Sequence, residues 1–261
     1  MASGNANHAQ RGDITRTNED RFWEEGGSYR PTDHPVVEIF ARQRLDYLSS
    51  TGALDGVSSL LDVGAGSGFS SRYYPDSIHA VACDFAGGML RANPVRDRIQ
   101  CSGDKLPFAD GSFDIATCWE LLHHLDDPVG AIREMWRVAR KRIVLFEPNR
   151  IHPGHIVLGL TRQEERRSLL FSPGHLRRLV SKATGLHPSR QERCGLLFPN
   201  ITPLFLAKVF GRLPYRVPLA GISQLLVLEK SQDGSFSAPI PHQSSPRRLP
   251  VAGRPTTSGR L

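Results

Sequence analysis

The chain has 261 residues, 39% hydrophobic and 23% charged, which is room for one large α/β domain with a full core or at most two small ones. No uninterrupted apolar run approaches the roughly 20 residues of a membrane span, and MASGNANHAQRGD lacks the apolar core of a signal peptide, so a cytoplasmic protein is expected. The formal charge of +7 is weak evidence for nucleic acid, because residues 231–261 hold Arg247, Arg248, Arg254 and Arg260 against Asp233 and so carry +3 of it.

In chain order, residues 1–20 are polar and expected to be flexible. From Pro35 to Leu48, apolar residues recur at roughly helical spacing. Ser58 to Val63 reads as a buried strand, followed by a glycine turn and a short helix. Ser77 to Cys83 is a second strand and Ala86 to Ala92 a second helix. Arg98 to Cys101 makes a short third strand, and Phe113 to Cys118 a fourth. Pro128 opens a helix to about Arg140. Arg142 to Phe146 is a fifth strand, stopped by Pro148. Pro173 to Ala183 is a helix with Ser172 as N-cap and Gly185 as its stop. Gly221 to Glu229 is a final apolar strand. Residues 231–261, rich in Ser, Pro and Arg, cannot bury enough apolar area to order themselves.

Strands alternating with helices predict one domain over 21–230, a Rossmann-like, doubly wound, mainly parallel sheet with helices on both faces. Its ligand belongs beyond the carboxyl ends of the strands, where the strand order reverses. Cys83, Cys101, Cys118 and Cys194 have no close pairing and are expected as buried free thiols, with no metal site.

The turn after the first strand carries Asp62, Gly64, Ala65, Gly66 and Gly68. Glycines let a backbone approach a ligand closely and offer N–H groups to polar atoms. A dinucleotide fingerprint needs glycine at the first, third and sixth positions. Counted from Gly64 the sixth is Phe69; counted from Gly66 it is Ser71, a degenerate match. Asp62 suits a ligand carrying positive charge better than a pyrophosphate. Asp84, ending strand two, can accept from both hydroxyls of a ribose, and Asp104 in Gly103-Asp104-Lys105-Leu106 can accept from an exocyclic adenine amine.

DVGAGSG, then CDFAGGML, then GDKLPFADGSFDIATC, resembles the class I S-adenosylmethionine-dependent methyltransferases of the small-molecule, type 11-like branch, over roughly Leu60 to Asn149. The resemblance implies a seven-stranded sheet and S-adenosyl-L-methionine as cofactor. It places the methionine part at Asp62, Gly64, Ala65 and Gly66, and the ribose at Asp84. Phe85, Met89, Gly103, Asp104, Lys105, Leu106 and Cys118 then surround the adenosine.

Methyl transfer from a sulfonium chiefly needs alignment and exclusion of water, and a hydroxyl nucleophile gains from a general base. The loop after strand four, Trp119-Glu120-Leu121-Leu122-His123-His124-Leu125-Asp126-Asp127, is similar to one in quinone C-methyltransferases and natural-product O-methyltransferases. It offers His123 or His124 as base, with Glu147 able to orient a histidine or hold backbone N–H groups. Trp119 and Glu120, with Trp23 and Tyr29 on an N-terminal lid, are candidate substrate contacts. Covering segments are expected at about 21–34, 150–171 and 196–220; ordinary core packing would account for the apolar content of the last, and a membrane-surface contact or a dimer interface would look similar to a hydrophobic cover.

The leading expectation is O-methylation of a small natural-product or metabolite hydroxyl. Behind it stand C- or N-methylation of a quinone-like or amine substrate, then a nicotinamide-dependent oxidoreductase, and a non-catalytic cofactor-binding protein. A nucleic-acid partner is disfavoured, and a homodimer is left open.

Overall fold

A computed structural model describes residues 21–25 and 29–230; the expectations for residues 1–20 and 231–261 lie outside the described residues. Helix α1 (Pro35–Ser50) precedes β1 (Ser59–Val63), β2 (His79–Asp84), α2 (Gly87–Ala92), β3 (Asp97–Gln100) and β4 (Phe113–Trp119). Then follow α3 (Pro128–Val138), β5 (Ala139–Pro148), α4 (Pro153–Thr161), α5 (Pro173–Thr184), β6 (Arg190–Cys194), α6 (Leu204–Phe210) and β7 (Ser223–Glu229).

The seven strands form one sheet in the order β3-β2-β1-β4-β5-β7-β6. β1 to β5 are parallel, while β7 inserts antiparallel between β5 and β6. The chain winds outward from β1 to β3 and returns to β4, so the reversal lies between the carboxyl ends of β1 and β4. That is where an open α/β sheet leaves a crevice.

Side-chain alternation divides the core. Leu61, Val63, Cys118 and Ile143 meet Met135 of α3 and Leu176 and Val180 of α5 on one face. Leu60, Ile115, Val144 and Phe146 meet Val36, Phe40 and Leu45 of α1 on the other. Local caps agree with the sequence: Asp127 accepts from the Gly130 N–H at 2.8 Å ahead of Pro128, Ser172 accepts from His175 N–H, and Gly185 closes α5 at φ +73°.

The differences have local causes. The helix expected after the glycine turn is a single 3-10 turn, Ser71–Tyr73. α3 stops at Val138, and Ala139-Arg140-Lys141, too charged to read as strand, opens a ten-residue β5 ahead of the expected start at Arg142. β6 is not legible because Arg-Gln-Glu-Arg-Cys is polar; it is the edge strand of the sheet, paired along its length to β7 and bridged on its other side only at Cys194, to Arg216. The cysteines are free, three of them buried. Among the described residues no helix is long and apolar enough to cross a membrane.

Candidate active site

A cavity of about 1520 Å³ opens at the strand-order reversal. It exceeds the ~300–1,000 Å³ typical of one ligand site, leaving room for two molecules side by side. Gly64, Ala65 and Gly66, then Asp84, Phe85, Ala86 and Met89, then Cys101, Ser102 and Gly103 form one end.

The glycine loop works by shape. Gly64, Gly66 and Gly68 have φ of +71°, +49° and +100°, a region that disfavours side chains. A Cβ on Gly64 would also sit 2.6 Å from Leu121 Cδ1. Its amides are largely spent inside the chain: Gly64 and Ala65 N–H donate to the Cys83 carbonyl, Gly66 N–H to Asp84 Oδ2 at 2.7 Å, and Gly68 N–H to the Ala65 carbonyl. This corrects the expectation that the loop offers those groups to a ligand. It also argues against a pyrophosphate, which takes free amides at the start of a full helix.

Asp84 accepts from Gly66 N–H through Oδ2 and from Ala86 N–H through Oδ1, yet stays on the cavity wall. Each oxygen keeps a second lone pair for a diol. Burial pushes its carboxyl above the usual range, against the opposing effect of those two N–H groups. Phe85, 52% exposed, and Met89 flank the space beside it.

Several expected contacts stand elsewhere. Asp62 is fully buried behind the loop, and its Oδ2 accepts from Ser70 and Ser71 hydroxyls at 2.6 and 2.5 Å. Its Oδ1 is buried without a hydrogen-bond partner, and burial raises the carboxyl to about 6 despite the serines. Asp62 buttresses the loop and does not face the cavity. Asp104 is not on the wall either; its carboxylate is engaged by the Ser102 hydroxyl. Lys105 is exposed, while Leu106 and Cys118 belong to the core beneath the sheet. Of the expected Gly103–Leu106 contacts only Gly103 reaches the cavity, beside Cys101 and Ser102.

The loop after β4 supplies the polar end. Trp119, Glu120, Leu121, His123 and His124 line the cavity. Glu120 adopts φ +56°, the sole positive φ among described non-glycine residues. Its carboxylate pairs with Arg44 of α1 at 2.5 Å, and both groups bond the Ser223 hydroxyl. The Arg44 guanidinium is buried over the rings of Phe40, Trp119 and Phe146. Sequence reasoning missed Arg44, which reads as one polar residue on an amphipathic helix.

Glu147, fully buried at the end of β5, does not line the cavity. Its Oε1 accepts from Leu121 and Leu122 N–H at 3.1 and 2.7 Å, and its Oε2 from His123 Nδ1 at 2.8 Å. It is therefore a positioning residue. The other ring nitrogen of His123 faces Glu165 at 3.6 Å. Burial disfavours a charged imidazole, but the two carboxylates prevail and raise His123 to about 10. Glu165, although burial works the other way, is held down to about 2 by His123 and, more weakly, by His124 and His155. The two carboxylates thus favour the imidazolium form of His123, which works against a role as base.

His124 stacks at 3.9 Å on His123 and edge-on to Trp23 at 4.8 Å. The donor atoms of His123, His124 and Glu165 lie within 4.8 Å of one another, a spacing a metal ion could also use. A third histidine of the cavity wall is His155 on α4, 6% exposed and 5.1 Å from Phe198. Burial lowers its pKa. Neither Glu165 nor His155 carried a motif; both lie in the segment expected only to cover the site.

Trp23 and Tyr29 stack at 5.6 Å and line the cavity. Glu24 ties this lid down by accepting from Gly87 and Gly88 N–H at the start of α2. A Cβ on Gly88 would sit 1.9 Å from the Glu24 carbonyl oxygen, so the lid seats only over glycine.

Residues 61–146 match the family described as "Methyltransferase domain". Two curated relatives are demethylmenaquinone methyltransferases. That of Paenarthrobacter aurescens is 42% identical over 95 residues, covering 34% of this chain and 38% of the relative. That of Renibacterium salmoninarum is 38% identical over 117 residues, covering 43% and 49%. The chain thus spans less than half the length of these relatives. A Thermotoga maritima SAM-dependent methyltransferase, described as a possible histamine N-methyltransferase, superposes with a TM-score of 0.54 at 17% identity, over 74% of this chain and 99% of that one. A SAM-dependent methyltransferase from Aquifex aeolicus gives 0.52 at 16% identity, over 76% and 94%. At such identities the structures speak for the fold. Glycine loop, acid-ended second strand, seven-stranded order and domain match together give the chain a methyltransferase domain over residues 61–146, in the fold of the class I S-adenosylmethionine-dependent methyltransferases.

Proposed function

We propose that the chain methylates an apolar, hydroxyl-bearing aromatic small molecule, with a ring carbon of a quinol-like substrate as acceptor. The observation that carries this is His123, held as a cation by Glu147 and Glu165 on a largely apolar wall. The relatives named demethylmenaquinone methyltransferase support the same substrate class.

The residues present fit the cofactor. Asp84 keeps diol-accepting lone pairs, Phe85 and Met89 offer apolar faces to a base, and the glycine loop leaves no room for a Cβ at Gly64. Bound S-adenosylmethionine supplies a methyl group on a sulfonium whose departure leaves a neutral thioether. The chain does the rest by placement. Through the nitrogen that faces Glu165, the His123 imidazolium would stabilise a substrate ionised in water and bound as its ring oxyanion, which raises electron density at the adjacent carbon; methylation there is followed by loss of that carbon's hydrogen as a proton. Leu158, Leu169, Leu197, Phe198 and Ile222 hold the ring apolar side in, and Trp23 and Tyr29 keep water out.

O-methylation is the second reading, favoured by His155, a neutral imidazole on the wall that can take a hydroxyl proton. The test is to supply a short-chain 1,4-naphthoquinol, unsubstituted at the ring position beside one oxygen, with methyl-labelled cofactor. NMR of the product separates an aryl-methyl signal from a methoxy signal. The aryl-methyl supports carbon as acceptor and methoxy the second reading. Transfer to neither this quinol nor other apolar phenols overturns both.

A further inference from the structure

The segments roofing the cavity carry an apolar surface turned outward. On α4, Val157 and Leu160 are 60% and 69% exposed, with Ile156 beside them. On α6, Phe205 and Val209 are 68% and 53% exposed. Phe198 packs against α4 at Gly154 and His155, and its loop runs directly into α6, so the two helices belong to one continuous roof. Leu170 and Ile201 line the cavity and are also 57% and 50% exposed, placing its mouth within this surface. A monomeric soluble protein rarely leaves so many large side chains together in water.

Charge says what covers them. The formal charge, spread thinly in the linear sequence, concentrates here. Arg150, Arg162, Arg166 and Arg167 are exposed around α4, and Lys208 and Arg212 on and after α6. Against them stand Asp126, paired with Arg167 at 2.7 Å, Glu164, 3.9 Å from Arg162, and Glu165, which is turned inward to His123; Arg150, Arg166, Lys208 and Arg212 have no acid opposite them in this set. Residues 196–219 contain no acid at all. Apolar side chains ringed by arginine and lysine match a bilayer with anionic headgroups, which takes the former into the acyl boundary and the latter at the phosphates. A second copy of this chain would bring the same positive charges together.

We infer that the α4–α6 roof docks on an anionic lipid surface, so that the cavity mouth opens toward the membrane. This inference goes beyond the proposed reaction and needs no particular methyl acceptor; vesicle binding is read without substrate. Co-sedimentation of the full chain is measured with vesicles of phosphatidylcholine alone and with phosphatidylglycerol added. Binding to the anionic vesicles should be at least tenfold tighter and should weaken as salt rises. Val157→Ser with Leu160→Ser, or Phe205→Ser, should weaken it tenfold or more, as should Lys208→Glu with Arg212→Glu. None of these five side chains lines the cavity, so S-adenosylhomocysteine should bind each variant as it binds the parent, which shows that the fold is intact. No preference for anionic vesicles, or variants that bind as the parent does, overturns the proposal. So does a dimer in analytical ultracentrifugation that the Leu160→Ser change dissociates while vesicles are ignored.

Discussion

Glu147 accepts from His123 Nδ1 at 2.8 Å while the same carboxylate holds the Leu121 and Leu122 N–H groups. One buried acid therefore fixes both the loop after β4 and the charge of its histidine. Glu147→Gln should destabilise the protein at pH 7 by about 3–5 kcal/mol, the usual result of stripping one partner from a buried ion pair. Chemical denaturation measures this; a loss under about 1 kcal/mol would contradict the pairing.

The same pair sets a pH dependence. His123 is raised from 6.5 to about 10, so the folded protein binds this proton more tightly than the unfolded chain. Its contribution to stability is complete below about 6.5, declines between there and 10, and is gone above. Imidazole carbon NMR shifts followed from pH 5 to 11 should show His123 protonated at pH 8. A midpoint near 6.5 would remove the imidazolium from the proposed chemistry.

Gly64 faces Leu121 across the mouth of the glycine loop. Gly64→Ala imposes a left-handed conformation on alanine, worth about 1–2 kcal/mol, and drives its Cβ into both Leu121 methyls. Calorimetry with S-adenosylhomocysteine should show affinity lowered more than tenfold. Leu121→Ala should recover part of that loss in the double variant, because the two changes share one contact. Strictly additive losses would mean that the contact does not control the loop.

Asp84 stands on the cavity wall with one oxygen on each of two backbone N–H groups. Asp84→Ala should weaken cofactor binding ten- to a hundredfold, consistent with about 1.5–3 kcal/mol for hydrogen bonds to a charged group. Asp84→Asn should lose less, since the amide oxygen still accepts one bond. Unchanged affinity in the alanine variant, again by calorimetry, would displace the diol from this carboxylate.

What the sequence disclosed follows a physical division. The glycine turn, Asp84 and the capped helices are local: a positive φ or an N-cap needs particular residues at fixed offsets, so the pattern shows. Asp62 was readable as important but not in its orientation, because which way a strand-end carboxylate turns depends on Ser70 and Ser71 behind it. Asp104 and Leu106 likewise fell on the right loop and the wrong side of the wall. The protonation of His123 depends on Glu165, forty-two residues on, and Arg44 meets Glu120 across seventy-six. Such partners leave no periodic trace in the chain.

His155 supplies the sharpest test of which histidine moves a proton. Both His123 and His155 border the cavity, yet the first is held as a cation and the second neutral. If the acceptor is a hydroxyl, His155→Leu should cut turnover by about 10²–10⁴, the usual worth of a positioned base, and leave cofactor affinity unchanged. Burial lowers the His155 pKa below 6.5, so turnover in the parent should stay flat through that pH and fall only below it. The variant should lose that acid limb. For stability the sign is the reverse of that for His123: the contribution of neutral His155 is present above 6.5 and is lost as pH falls through its depressed folded value. Urea midpoints at pH 8 and pH 5 should therefore differ less in His155→Leu than in the parent. Equal turnover in the two proteins at every pH would remove His155 as the base and, with it, the observation that favours O-methylation.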